Sequence, residues 1–150
     1  MVVKNEAHII TRCLDSVESY IDQWVICDTG STDGTQEIIV SYFEKKKIPG
    51  KLYQDEWKNF GHNRSLYMQY ARQILCTHIL VLDADDVVVV EDQHFKQKLG
   101  ACKNTAWMVQ FVGKLSYWQA HLFTNDQLWV YKGVTHEYVH SDKPYTRKRM

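Results

Sequence analysis

Short apolar runs alternate with segments of helical periodicity along residues 1–86 of this chain of 150 residues. The runs predict strands at 1–3, 23–27, 51–54 and 78–82, and the spacing of apolar residues between them predicts helices at 5–20, 36–47 and 63–75. Strands that alternate with helices form a mostly parallel sheet through right-handed crossovers. The alternation therefore predicts an α/β fold with a mostly parallel central sheet flanked by helices.

The rest of the chain follows a different pattern. It predicts a short helix at 91–99 and strands at 106–112, 117–123 and 128–131 that are joined by turns. We expect these strands to form a smaller mixed or antiparallel part. Because no repeat or Pro/Gly-rich linker interrupts the sequence, we expect a single domain over residues 1–150, with halves at 1–86 and 87–150. The second half is interpreted as either complete or truncated.

Charge and apolar content narrow the choice of partners. Lys plus Arg and Asp plus Glu number 18 each, so the chain has no overall attraction to nucleic acid or anionic membrane, and we expect no nucleic acid partner. The basic run 147–149 is interpreted as a solvated tail in preference to a binding patch. We also expect no transmembrane segment, because no stretch approaches the roughly 20 apolar residues that cross a bilayer. The oligomeric state stays open.

The cysteines indicate a compartment. The 4 cysteines form no CxxC pair, and a chain of this length does not need disulfides for stability. We therefore expect free thiols in a reducing compartment and a cytoplasmic location.

Three polar loops follow predicted strands. They are Lys4 to Glu6, the segment DTGSTDGT at 28–35, and the segment DADD at 83–86. In open α/β sheets ligands bind at the carboxyl ends of the strands, so these loops are expected to converge. Hard oxygen ligands suit Mn²⁺ or Mg²⁺, and an extended Asp-Ala-Asp segment would place Asp83 and Asp85 on one face. The alternative interpretation is that the aspartates are solvated and cap the next element.

Several segments together resemble a known family. They are KNEAHIITRCLDSV, WVICDTGSTDGTQEII, NFGHNRSL and ILVLDADD, followed by LFTNDQLWVYKGVTHEYV. Their order and spacing resemble the nucleotide-binding half of family 2 glycosyltransferases with the GT-A (Rossmann-like) fold, over about residues 1–140. The resemblance implies a metal-dependent, inverting enzyme of the hexosyltransferase type. It would transfer a sugar from a nucleoside diphosphate sugar, with a UDP-sugar favoured, to a hydroxyl of a glycan, lipid or protein acceptor.

The resemblance also implies roles for individual residues. Asn5 and Glu6 would hold the base and ribose, Asp28 would accept a hydrogen bond from the base, and Ser31 and Asp33 would shape the loop beside it. In the DADD segment, Asp83 would face the ribose or the metal, Asp85 would be the main ligand of Mn²⁺ or Mg²⁺, and Asp86 would support them.

Arg64 matches the arginine of the family's Gly-x-x-Arg-Asn segment. Here Ser65 follows the arginine and Asn63 precedes it, which leaves the role of Asn63 open. Arg64 is predicted to pair with phosphate or with the aspartate cluster, and the alternative is an ordinary surface arginine.

An inverting transfer also needs a base for the acceptor hydroxyl. Glu137 is the first candidate, His136 joins the metal or the diphosphate, and Asp126 is a weaker candidate because Asn-Asp is typical of a turn. The alternative for His136 and Glu137 is a surface strand end. One or two of the aromatic residues are expected to line the acceptor cleft, although for each of them a place in the core is favoured; they are Trp57, Phe60, Trp107, Trp118 and Trp129.

Other functions fit the sequence less well. A nucleotidyltransferase would carry a Gly-rich loop after strand one, and a dinucleotide-dependent dehydrogenase would carry GxGxxG, and neither is present. The alternative from another class is a non-catalytic nucleotide-sugar or glycan-binding module, or an inactive truncated glycosyltransferase.

Overall fold

The first half of the chain alternates strands and helices in the predicted order. The structure is a computed structural model that describes residues 1–100, 102–134 and 137–149. Its first elements are β1 (Val2–Val3), α1 (Ile10–Val17) with a 3-10 turn (Glu18–Tyr20), β2 (Trp24–Asp28), α2 (Thr35–Lys46), β3 (Gly50–Gln54) and α3 (Phe60–Arg72).

These strands form a parallel sheet in the order β1-β2-β3. Val3 pairs with Asp28, and Asp28 pairs with Gln54, so the three strands end at the same level. The loops that follow them therefore start side by side at one edge of the sheet.

The part of the chain from residue 78 onward forms two further sheets. Its elements are β4 (His78–Leu80), α4 (Phe95–Leu99), β5 (Thr105–Phe111), β6 (Tyr117–Thr124), β7 (Val130–Lys132), β8 (Tyr138–His140) and β9 (Thr146–Arg149). A mixed sheet has the order β4-β6-β5-β9, and β7 pairs with β8 in an antiparallel hairpin. The smaller mixed part is thus confirmed.

Two features of the mixed sheet differ from the sequence predictions. The fourth strand continues the alternation along the chain, yet it pairs antiparallel with β6, through Ile79 and Phe123. The basic run predicted to be a solvated tail instead forms β9, which pairs parallel with β5 although its side chains are exposed.

Helices pack on both faces of the parallel sheet. Alternation along β2 directs Ile26 to a cluster with α1 and α2, whereas Cys27 joins a cluster with α3 and the mixed sheet. Each fully buried aliphatic or aromatic side chain contributes about 1.5–3 kcal/mol, so these clusters hold the loops at the sheet edge in place.

A glycine in α3 allows the β7–β8 hairpin to approach closely. A Cβ atom at Gly61 would lie only 2.2 Å from the carbonyl oxygen of Gly133, so a side chain there would push the two apart. One turn further along α3, the Ser65 hydroxyl donates to the Gly61 carbonyl and accepts from the Tyr131 backbone N–H at 2.9 Å. The helix and the hairpin are therefore fixed to one another.

Two smaller expectations concern membranes and thiols. Within the three described stretches of the chain, no helix combines the length and apolar character needed to span a bilayer. Cys13, Cys27, Cys76 and Cys102 are free thiols, as predicted.

Candidate active site

Hydrogen bonds tie the loop after β1 to the loop after β2. The Asn5 backbone N–H donates to the Ser31 hydroxyl at 2.8 Å, and the Asn5 side-chain oxygen accepts from the Thr32 N–H at 2.8 Å. Asp33 accepts from the Ala7 N–H at 3.0 Å. A hydrogen bond from the Thr35 side chain lowers the pKa of Asp33, so this carboxylate stays charged. Asn5, Ser31 and Asp33 thus lie together, as predicted, and shape one another's loops.

Asp28 is buried at the end of β2 with one oxygen satisfied and the other free. Its Oδ1 accepts from the backbone N–H groups of Gly30 at 2.9 Å and Ser31 at 2.8 Å, and from the Gln36 amide at 2.8 Å. Its Oδ2 is buried without a hydrogen-bond partner among the described residues. A buried polar atom without a partner carries a desolvation cost, which a donor from a ligand would remove.

An open cleft of about 280 Å³ lies beside this network. Its lining includes Lys4, Glu6, Thr29, Trp57 and Phe60. The Trp57 and Phe60 rings meet edge to face with centroids 4.9 Å apart, and both are exposed. Exposed aromatic rings beside buried polar groups are suited to stacking on a flat ligand.

Asn63 supports the segment that carries these rings. It is buried, its side-chain oxygen accepts from the Lys58 N–H at 3.0 Å, and its amide donates to the Glu56 carbonyl at 3.0 Å. The open question about Asn63 is answered: it holds the loop before α3, and the neighbouring Arg64 faces the site.

Arg64 joins the two halves of the chain. Its Nη2 atom lies 2.9 and 2.7 Å from the two carboxylate oxygens of Asp83, and its Nε lies 3.2 Å from Oε1 of Glu137. Its guanidinium also lies 5.7 Å from the centroid of the Tyr131 ring. Burial lowers the pKa of Arg64, but the charge of Asp83, its hydrogen bond and the nearby Tyr67 and Tyr131 together outweigh burial, so the net pKa is raised. The interpretation as a surface arginine is wrong, since only 12% of the side chain is exposed.

The DADD segment forms a turn. The Asp83 N–H donates to the Asp86 carboxylate at 2.8 Å, and the Asp86 N–H donates to the Asp83 carbonyl at 3.2 Å. The expected extended geometry is therefore wrong, because the backbone turns at Ala84 and Asp85. Burial raises the pKa of Asp86, whereas Asp85 is exposed to solvent.

The donor chemistry of this turn suits a hard divalent cation. The described part of the chain contains no group of three or more His, Cys, Asp or Glu that could hold a metal. Mg²⁺, however, is usually bound by one or two carboxylates together with substrate phosphates. Asp85 offers an exposed carboxylate for this purpose, whereas Asp83 already pairs with Arg64. His136 lies outside the described residues.

Asp55 is a candidate that the sequence analysis missed. It follows β3, its Oδ1 accepts from the Tyr70 hydroxyl at 2.9 Å, and its buried Oδ2 has no partner among the described residues. The signal was present, because Asp55 directly follows a predicted strand at the sheet edge where ligands bind.

The remaining candidates lie elsewhere. Asp126 accepts from the Asn104 N–H at 2.8 Å and holds a turn, as the Asn-Asp pattern predicts. Trp107 and Trp129 are buried in the core.

The sequence of this chain resembles a family profile and parts of longer proteins. The profile of glycosyl transferase family 2 matches residues 1–140. The chain is 34% identical over 92 residues to a TPR repeat-containing protein of Synechococcus elongatus, covering 61% of this chain and 21% of that protein. It is 31% identical over 94 residues to the SPbeta prophage-derived glycosyltransferase SunS of Bacillus subtilis, covering 62% of this chain and 21% of that protein. The chain thus spans about a fifth of the length of these relatives.

Two solved structures share the fold. The crystal structure of TarS residues 1–349 from S. aureus superposes with a TM-score of 0.51 and 23% identity, over 67% of this chain and 29% of that one. The same protein in complex with UDP gives 0.56 and 20%, over 76% and 35%. The predicted α/β fold of the GT-A type is confirmed.

Replacing Arg64 by Gln should destabilise the fold, because it leaves Asp83 and Glu137 without their shared cation. We expect a loss of about 2 kcal/mol in the free energy of unfolding, less than for a fully buried pair since Asp83 is partly exposed. Urea denaturation measures the loss. The free energy of unfolding of Arg64→Lys should lie between those of the wild type and Arg64→Gln, because lysine keeps the charge but cannot bind both carboxylates as a fork. The exposed Arg72→Gln is the control, and equal stabilities of the two Gln variants would contradict the assignment.

Proposed function

This chain belongs to glycosyl transferase family 2, and on that premise we propose that it transfers a sugar from a nucleoside diphosphate sugar to a hydroxyl acceptor. The single observation that carries the proposal is Asp28, whose buried Oδ2 lacks a donor at the strand end beside an open aromatic cleft. The chain spans only part of the length of its relatives. Binding of the acceptor and the activity of the whole protein are therefore part of the proposal.

Asp28 is the residue to which we assign binding of the nucleobase of the sugar donor. The N3–H of uracil is a donor that can satisfy the free Oδ2, while Trp57 or Phe60 stacks on the ring for about 1–3 kcal/mol. The hydroxyl groups of ribose would meet Asn5 and Glu6. A structural neighbour, TarS, is described in complex with UDP, which supports UDP as the nucleotide here.

The diphosphate would lie between the DADD turn and the basic side chains. Lys4 lines the cleft, and Arg64 is held near Asp83 at the end of the mixed-sheet strand. Asp85 would hold Mn²⁺ or Mg²⁺ together with the phosphates of the donor, while Asp83 stays paired with Arg64. The bound cation would neutralise charge that develops on the leaving diphosphate.

Glu137 is the proposed base for the acceptor hydroxyl. Its carboxylate is 13% exposed, and Arg64 fixes its position. In the proposed step Glu137 takes the hydroxyl proton as the oxygen bonds to the anomeric carbon, and the diphosphate leaves from the opposite face. Configuration at that carbon is therefore inverted. The acceptor hydroxyl would belong to a glycan, a lipid or a protein.

Replacing Asp28 by Asn should weaken UDP binding. Asparagine keeps one acceptor but turns the other atom into a donor, which cannot accept from uracil N3–H. A hydrogen bond to a charged group contributes about 1.5–3 kcal/mol, so isothermal titration should show a loss of roughly ten- to hundredfold. The exposed Asp22→Asn is the matched control. Unchanged affinity of Asp28→Asn would show that the base binds elsewhere.

Replacing Asp85 by Asn should remove the effect of Mn²⁺ on UDP binding. We expect the wild-type chain to bind UDP more tightly with Mn²⁺ than in chelator, and the variant to bind equally in both. The exposed Asp142→Asn should behave like the wild type. If Asp85→Asn retains the full response to Mn²⁺, Asp85 is not the metal ligand.

Replacing Glu137 by Gln tests the enzyme against the alternative, a non-catalytic binding module. General base catalysis typically contributes 10²–10⁴-fold, so we expect release of UDP from UDP-hexoses to fall by about that factor while UDP affinity is kept. Exposed Glu44→Gln is the control. If wild type binds UDP but releases none from any UDP-hexose with any acceptor, the module is favoured.

A further inference from the structure

The turn between β5 and β6 exposes several large apolar side chains close together. Val112 is 81% exposed, Leu115 is 82% exposed, and Tyr117 is 51% exposed, with its ring stacked on that of Phe111. Single exposed apolar residues are ordinary on protein surfaces, but a cluster marks a contact with another body. Lys114 stands in the middle of this cluster.

The neighbouring strand β9 adds positive charge beside the turn. β9 runs parallel to β5, with Arg149 opposite Met108. The last residues of β9 therefore lie toward the end of the sheet where β5 enters the turn. The Arg149 guanidinium lies 5.2 Å from the centroid of the Trp118 ring, and the Lys148 ammonium lies 5.3 Å from that of Trp107. Because successive side chains of a strand point to opposite faces, the rings hold one cation on each face of the sheet along its exposed edge strand.

No carboxylate interrupts this region of the sequence. Residues 102–125 and 143–149 contain neither Asp nor Glu. The positive charge is therefore local, although the chain as a whole has a net charge of zero. An apolar turn with adjacent cations has the composition of elements that bind the interface of anionic membranes.

We propose that this region is a docking surface for membranes that contain anionic phospholipid. The tip surface consists of Val112, Lys114, Leu115 and Tyr117, together with Lys148 and Arg149 of β9. Val112 and Leu115 enter the boundary between headgroups and acyl chains, the aromatic rings lie at headgroup level, and the cations meet lipid phosphates.

Charge and shape argue against two other occupants. A second copy of the chain would bring like-charged side chains face to face, because a two-fold interface places the same patch on both subunits. A specific protein partner usually covers about 800 Å² per side, which a single projecting turn does not offer. A lipid surface requires neither self-complementarity nor a large preformed patch.

The tip surface lies at the same edge as the candidate active site. Because β6 is antiparallel to β4, the start of β6 lies beyond the carboxyl end of β4, from which the DADD turn follows. Docking would therefore bring this edge of the domain toward the headgroups. The inference rests on exposure and charge alone and does not depend on the proposed function.

Sedimentation with vesicles tests the inference on the 150-residue chain. We expect the chain to sediment with vesicles of phosphatidylcholine mixed with phosphatidylglycerol, and far less with phosphatidylcholine alone. Raising the salt concentration should release it, since screening shortens the range of the attraction to about 10 Å at 0.1 M. Failure of the wild type to bind the mixed vesicles, including a result in which it self-associates instead, would overturn the inference.

Matched variants separate vesicle binding by the tip surface from nonspecific binding by other exposed apolar or basic residues. The double variant Val112→Ser, Leu115→Ser should bind roughly tenfold more weakly, and Lys148→Gln, Arg149→Gln should lose about fivefold for each charge removed. The controls are Leu75→Ser, at a lone residue that is 95% exposed, and Lys45→Gln, Lys51→Gln. Circular dichroism verifies that each variant is folded. Controls that lose as much binding as the tip variants would also overturn the inference.

Discussion

The ion pairs of Arg64 connect parts of the molecule that come from distant positions in the chain. The guanidinium extends from α3 to Asp83 after β4 and to Glu137 before β8, so the helix, the mixed sheet and the hairpin converge at one side chain. Removing one partner from a largely buried ion pair is costly, because the opposite charge remains without compensation. The position of Glu137 therefore depends on Arg64, and Arg64 depends on the helix that Gly61 and Ser65 fix against the hairpin.

Local pattern was sufficient to predict most helices and strands of the first half, but not where some of them begin. Helical spacing predicted a helix from residue 5, whereas α1 begins at Ile10. Residues 5–7 instead bond to the loop after β2, through Ser31 and Asp33. Asn5 has a φ of 57°, a left-handed conformation that asparagine tolerates better than most residues. Tertiary contacts thus outweigh the helical spacing at this position.

Pairing over long distances was less accessible from the sequence. Periodicity identifies a strand at 78–82 but carries no information about its partner, which proved to be β6. In the candidate site, too, local features could be predicted from the sequence and contacts between distant segments could not. The rule for strand ends located Asp28 and the DADD turn, whereas the contact between Arg64 and Glu137 requires the packing of α3 on β7. The open roles of Asn63 and Arg64 could be decided only from their contacts, since Asn63 bonds to the loop before α3 and Arg64 pairs with Asp83 and Glu137.

The role of Asn63 has a thermodynamic consequence for ligand binding. A single buried amide holds the segment with Trp57 through backbone groups on both sides, so the aromatic wall of the cleft is already ordered before a ligand arrives. A ligand that stacks there loses little free energy to loop ordering. Stacking in such a preformed cleft should therefore be driven by enthalpy at room temperature and accompanied by a small negative heat-capacity change. Selectivity among bases would then come from the rigid shape of the wall together with Asp28, since the wall need not close around its ligand.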